Sequence, residues 1–329
     1  MQAVPSEVLQ RAYQRRPLYL LKLPFFWGLV FAMGFAANEV SKHTSTGLAF
    51  VASLVAGVLI GSLVRGLGSI GHDAAHGTVS RSPTLTYLIG FWAWSATLMS
   101  YTLYRTYHLD HHRIVNMPHD VDRLTVSRFT KSAKLSRAIR VVIYLGMYPI
   151  YWLFSVQRYV RKMTLAQKVR MNLELLAVAG CIVGLSQVMV PVAFWTVMIT
   201  QLVVGAFFAS ITSMCEHFGI AYHADHAYSS RTYGTSSALL DWLWSGTTFH
   251  NEHHKYPGIP WYNLKQFHFE ALPYYSAEVK ANIHTDFVPL AWGLLKRAAT
   301  LDPESESEIA ERDRERLRES VPELRPQTA

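Results

Sequence analysis

Three short windows hold the residues best suited to chemistry: His72-Asp-Ala-Ala-His76, His108-Leu-Asp-His111-His112 and His250-Asn-Glu-His253-His254. They contain eight of the chain's 15 histidines. Within each window the imidazoles stand at i and i+4, or at i, i+3 and i+4, the spacings that share one helix face. A metal centre wants such stacking, because neutral imidazole is the commonest side-chain ligand. Eight rings are too many for one ion, since catalytic zinc takes three protein ligands and structural zinc four. They suit two transition-metal ions, and imidazole alone leaves Zn, Cu, Fe and Ni open. Carboxylates recur beside the rings: Asp73, Asp110 and Glu252 inside the windows, and Glu216 next to His217. Their neighbourhood predicts a supporting role, accepting the far ring N–H of a ligand histidine and fixing its tautomer.

The elements that must position these windows are membrane helices. The chain has 329 residues, half of them hydrophobic and 16% charged, where a soluble domain carries about 25% charged residues. Apolar runs near 18–38, 47–66, 172–190 and 191–213 approach the roughly 20 residues a spanning helix needs. With these spans, Lys42 is the one Lys or Arg of 31 assigned to the far side. By the positive-inside rule the basic face is cytoplasmic, which places 67–171, 214–300 and both termini there. The net charge of +8 then marks topology and anionic headgroups, and no nucleic-acid partner is expected. The first run contains Lys22 and Pro24 and has no small-residue cleavage site after it, so it reads as a retained helix. Cys181 and Cys215 read as small apolar fillers.

If the apolar stretch 83–104 crossed, the first two windows would lie on opposite sides of the bilayer. It is therefore expected to start at Pro83 and stay on the window side. Residues 138–170 read as interfacial, with an apolar stripe flanked by Arg137, Arg140, Arg158, Arg161 and Lys162. Residues 1–300 form one domain, and 301–329 read as a charged, disordered tail. The fold class expected is all-α: an integral membrane four-helix bundle with a cytoplasmic helical cap that carries all three windows. The four spans and the charge bias are read without the windows, and only the placement of 83–104 uses them, so the common address supports one shared site.

A zinc protease is excluded, because His-Glu-x-x-His occurs nowhere in the chain. A metal transporter would need ionisable groups inside its spans, and these hold almost none. The order H-x3-H, H-x2-H-H and, far downstream, a second H-x2-H-H resembles the membrane-bound fatty acid desaturase/hydroxylase superfamily. The flanks match as well: Gly71-His-Asp-Ala-Ala-His-Gly77, His111-His-Arg-Ile-Val-Asn116, and Phe249-His-Asn-Glu-His-His-Lys-Tyr-Pro-Gly-Ile-Pro-Trp-Tyr-Asn-Leu264. The resemblance covers roughly 65–270.

That resemblance implies two non-haem iron ions as cofactors, with O2 as co-substrate and two electrons from outside the chain. Zinc, being redox-inert, cannot do this work. The implied ligands are His72, His76, His108, His111, His112, His250, His253 and His254. A ninth is expected just before the third window: His217 matches best, and His223 and His226 compete. Asn116, in the second flank, joins Asp73, Asp110, Glu216 and Glu252 as an expected supporting residue, while His119, His268 and His284 are expected to be surface or structural. The implied reaction is desaturation of a fatty acyl chain on a lipid or thioester. Hydroxylation and carotenoid ketolation are alternatives that the windows do not separate. No haem-binding His-Pro-Gly-Gly segment is present, so a ferredoxin, a rubredoxin or a cytochrome b5 must deliver the electrons. Phe91, Trp92, Trp94, Tyr101, Tyr104 and Tyr107 either line a substrate channel or pack the core. The rival class is a non-catalytic metal-binding or transport protein, which metal analysis and oxygen consumption would separate from an oxidase.

Overall fold

The computed structural model describes residues 3–117, 119–126, 129–234 and 237–301; the charged segment from Asp302 onward lies outside them. The described residues are mostly helical, and among them one pair of two-residue parallel strands occurs, β1 (Thr232–Tyr233) and β2 (Ile283–His284). A short helix α1 (Ser6–Ala12) leads through a 3-10 turn to α2 (Lys22–His43), which returns as α3 (Thr46–Ala75). The window side then carries α4 (Pro83–Trp94), α5 (Tyr101–Ile114), α6 (Ala133–Val142) and α7 (Tyr148–Lys162). A second hairpin, α8 (Leu165–Val188) and α9 (Pro191–His217), is followed by α10 (Ala238–Leu243), α11 (His250–Lys255), α12 (Trp261–Ala271), α13 (Ala277–Lys280) and α14 (Phe287–Thr300).

Both hairpins begin and end where local chemistry allows. Thr164 and Gln167 form a reciprocal capping box at the start of α8, and Pro191 takes the first position of α9, where its missing N–H costs nothing. α3 and α9 approach closely because glycines face the partner. A Cβ at Gly57 would sit 2.6 Å from the Thr200 Cβ, and one at Gly61 2.7 Å from the Val204 Cβ. Small residues at helix contacts are how membrane helices gain packing that lipid cannot supply. Large apolar side chains such as Val51, Val55, Leu176, Val183, Ile199 and Val203 point outward on these helices. Together with five helices long and apolar enough to cross a bilayer, they mark an integral membrane protein.

Three boundaries depart from the hydropathy reading. α3 runs to Ala75, α9 runs to His217 and α8 starts at Leu165, because nothing in those sequences breaks a helix where the apolar run stops. α3 and α9 therefore reach past the apolar layer and carry histidines at their ends. α4 spans 12 residues, too few to cross, and a 3-10 turn (Ser95–Thr97) with Leu98 at φ 59° reverses the chain into α5. The stretch Ala133–Lys162, expected to be interfacial, meets the length and hydropathy of a span. It is broken at Gly146 (φ 148°) by a π turn. Its Ile143, Tyr144, Tyr148 and Tyr151 pack against Ile211, Met214, Cys215 and Phe218 near the end of α9. Arg140 is buried there and donates to the carbonyls of Ala298 (3.0 Å) and Leu301 (2.8 Å).

One buried carboxylate ties the second hairpin to the windows. Glu174 of α8 accepts from the Tyr87 hydroxyl (2.7 Å), the Thr102 N–H (2.9 Å), and the hydroxyls of Ser100 and Thr102. Ser100 is the N-cap of α5, so the negative charge meets the positive end of the helix that carries the second window. Such a charge is tolerated in the interior only with this degree of hydrogen bonding.

Candidate metal centre

The four helix ends that bear histidines converge, and the rings sort into two lobes. His72 and His76 from α3, His108 and His112 from α5, and His253 from α11 each bring a ring nitrogen within 4.8 Å of the others. His111, His217 and His254 form a second such group. His250 adjoins that group, its Nε2 lying 3.0 Å from those of both His217 and His254. In the first lobe the Nε2 atoms of His76 and His108 are 2.8 Å apart, and those of His112 and His253 are 3.0 Å apart. Neighbouring residues go to different lobes: His111 and His112 divide, and so do His253 and His254. The lobes touch where His112 stacks on His254, with centroids 4.2 Å apart.

The donor set fits two metal ions. Two imidazole nitrogens bound ~2.1 Å from one ion at a right angle stand ~3 Å apart, which is the spacing seen. Both nitrogens of His72 are buried without a hydrogen-bond partner, although its ring lies 4.3 Å from that of His253 and 4.5 Å from that of His108. A buried polar atom left unpaired costs about 1–3 kcal/mol, and an ion among the rings removes that cost. Burial, reinforced by neighbouring rings, holds His108, His112, His250, His253 and His254 well below the usual imidazole range. They are neutral, the form that ligates.

His111 is different. Burial lowers its proton affinity, but Asp120 and Asp122 outweigh it and push His111 up to about 9. Its Nδ1 lies 2.9 Å from both oxygens of Asp120 and 3.5 Å from Asp122. With Nδ1–H donated to Asp120, Nε2 is directed into the second lobe, where a metal would take the place of its proton. Neither aspartate was evident from the sequence, because both lie beyond the second window in a loop. Asn116, at φ 61°, turns the chain back, and Asp120 accepts the backbone N–H of Asn116 (2.8 Å) and of Asp122 (3.0 Å).

The supporting residues expected from the sequence have varied positions. Asp73 accepts the Trp261 N–H at 2.7 Å and the Thr78 hydroxyl at 3.0 Å, pinning the end of α3 to the start of α12. It stands 3.9 Å from the His72 Nδ1. Glu216 pairs with Arg65 (3.3 Å) and the Tyr233 hydroxyl (3.0 Å) and lies 3.9 Å from the His250 Nε2. Glu252 points away from the ligand rings, toward His268 Nδ1 (2.6 Å) and the Thr232 hydroxyl, and anchors α11 to α12 and β1. His268 is thereby a buried structural residue. Asp110 pairs with Arg113 and accepts from the Tyr159 hydroxyl at 2.6 Å. The Asn116 side chain donates to the Ser229 carbonyl at 2.7 Å. His223 Nδ1 accepts the Asp225 N–H, and among the described residues neither His223 nor His226 joins a metal-type group.

A cavity of about 180 Å³ opens against His72, His108, His111, His217 and His250, with Trp94, Tyr104, Tyr107 and Tyr148 on its walls. Of the six aromatics singled out in the sequence, Phe91 and Trp92 line a separate apolar cavity, and Tyr101 is buried against Gly90.

The sequence model for the fatty acid desaturase family matches residues 45–282. The oleate hydroxylase FAH12 of Claviceps purpurea is 29% identical over 138 residues, which cover 42% of this chain. The matched part spans 29% of that relative's length.

Proposed function

The chain belongs to the fatty acid desaturase family, and from that premise we propose that it desaturates a fatty acyl chain, carried on a lipid or thioester, at two histidine-bound irons. Its coarser character, a membrane oxidase of the desaturase/hydroxylase type acting on lipid, follows from the family and the relative. The observation that supports the finer reading is the division of nine imidazoles, seven of them in buried residues, into two adjoining groups of metal-binding spacing. His72, His76, His108, His112 and His253 would hold one ion, and His111, His217, His250 and His254 the other. When bound, the iron pair supplies O2 activation and the oxidising power to take hydrogen from an unactivated methylene, with electrons from a ferredoxin, rubredoxin or cytochrome b5.

The protein's own groups do the rest. Burial keeps the other eight rings neutral, and Asp120 holds a proton of His111 at Nδ1. Trp94, Tyr104 and Tyr107 wall the pocket and exclude water from the reacting carbon. In this proposal α2, α3, α8 and α9 cross the membrane. Ala133–Lys162 does not, since one crossing between His112 and Leu165 would separate His111 from His217, whose rings are 4.9 Å apart. Arg15 donates to the carbonyls of Thr78 (3.0 Å) and Gly77 (3.1 Å), and Leu301 accepts from Arg140. These contacts support both ends of the described chain lying on the histidine side, which the distribution of Lys and Arg makes cytoplasmic.

Hydroxylation is the second reading, favoured by the relative's printed name. Expression in a host with a compatible electron donor, followed by mass spectrometry of its lipids, tests both. Loss of two hydrogens from an acyl chain supports the first reading and gain of one oxygen supports the second. Purified protein holding zinc and consuming no oxygen would refute both.

A further inference from the structure

Below the histidine pocket, inside the membrane layer, lies a larger cavity of about 300 Å³ between α2, α3, α4, α8 and α9. Its walls are apolar almost throughout, with Phe31, Phe35, Ile182, Phe194 and Val197 among them. On α8 the lining runs from Ala177 to Leu185, about 12 Å at ~1.5 Å per residue, and Met189 just past the helix extends it. Val64 lines both this cavity and the histidine pocket. The turn after α4 separates the two as well: Trp94 and Thr97 face the histidines, whereas Ser95, Ala96 and Leu98 face the apolar chamber. Across from Val64 stands Gly205, where an added Cβ would lie 3.7 Å from the Val64 Cγ1. On its other side the histidine pocket adjoins a cavity of about 50 Å³ that shares Asp122, Ser213 and His217 and adds Asn116 and Arg123.

The pocket thus adjoins an oily chamber and a smaller cavity that carries Asn116, Asp122 and Arg123. An alkyl tail gains from the first, whereas an ester, thioester or carboxylate buried there would lose its hydration without replacement. Resting on the acyl reading above, we propose that the substrate threads methyl end first past Val64 and Gly205 into the membrane chamber. The depth of that chamber then sets the oxidised carbon, so position is counted from the methyl end.

Gly34 gives a clean test. It lines the chamber, and a Cβ there would meet nothing within 4 Å, so Gly34→Leu shortens the chamber without a clash. Cells expressing the full chain are fed saturated fatty acids of graded length, and product positions are mapped. The expected result is a position constant from the methyl end, moved at least one carbon toward that end by Gly34→Leu and blurred over neighbouring carbons by Val64→Ala. A position constant from the carboxyl end and indifferent to Gly34→Leu overturns the proposal.

A readout independent of turnover uses purified protein and a fatty acid with a diazirine on its terminal carbon. Photolabelling is expected within Phe31–Phe35 and Cys181–Met189, and is lost in Gly205→Leu, which plugs the passage. Label at Asn116 or Arg123 overturns the direction of threading. Equal labelling in Gly205→Leu shows that the chamber seats a bilayer lipid from the side, and also overturns it. Correct labelling with no oxidised acyl product counts against the proposed reaction and leaves the threading intact.

Discussion

The two lobes of the histidine cluster differ in what stands behind them. The lobe of His72, His76, His108, His112 and His253 has no carboxylate among its mutually close donors and has Asp73 beside it, 3.9 Å from the His72 Nδ1. The lobe of His111, His217, His250 and His254 has Asp120 and Asp122 at one edge and Glu216 at another. Five neutral rings leave an ion's charge to be balanced by whatever else it binds. Carboxylates held at one remove balance part of it in advance and make their histidine a stronger donor. In the proposed two-metal reading, two sites built from one residue type are therefore chemically unequal, and the close pair Asp120 and Asp122 comes from a loop outside the histidine windows.

The largest expected effect that tests this contrast comes from His111→Ala. It removes the ring through which both aspartates act, so turnover should vanish while metal content falls by about half. Loss of all metal, or of none, in metal analysis of the purified variant would break the division into lobes. Asp120→Asn keeps the ring and weakens its support, and should lower metal affinity or activity by about 10–100-fold. The loss should be confined to the lobe of His111, read by titrating the apoprotein with ferrous iron.

The same titration at several pH values should separate the lobes again. His111 in the metal-free protein is held up to about 9, so below that value metal must displace its proton. Apparent affinity of that lobe should rise about tenfold per pH unit from 7 toward 9 and then level off. The other lobe, with its rings already neutral, should be flat over this range. Equal slopes would remove the distinction.

Glu174→Ala is expected to act on both lobes alike, because it loosens α5, which supplies rings to each. Donors left unpaired should cost about 1–3 kcal/mol, seen as a lower Tm with a parallel loss of both metals, and Glu174→Gln should recover most of it. The smallest effect should come from Asp110→Asn, with activity changed less than about twofold.

That last expectation shows how much of the site could be read from the sequence. The ring positions were legible because spacing of three and four residues puts them on one helix face. The same rule argues against Asp110: two residues from His108 and from His112, it faces away from both, toward Tyr159. Glu252 was likewise counted by adjacency in sequence, and its partner His268 lies across a helix contact that no periodicity reveals. His217 was legible through the family pattern, since a single histidine after an apolar run has no spacing to announce it. Asp120 and Asp122 depend on a left-handed residue, Asn116, folding the loop back, and a chain reversal of that kind is settled by tertiary contacts. The hairpins followed from hydropathy, whereas the helix ends did not, because apolar content measures lipid contact and not where a helix stops.

The tandem histidines have one more consequence. His111-His112 and His253-His254 each send consecutive rings to opposite lobes, and consecutive Cα atoms are ~3.8 Å apart across a trans peptide. The interval between the two sites is thus gauged twice by single peptide bonds, on two helices that approach from different parts of the chain. In the proposed centre, any tilt of the helices around this pair of rulers would leave both unstretched.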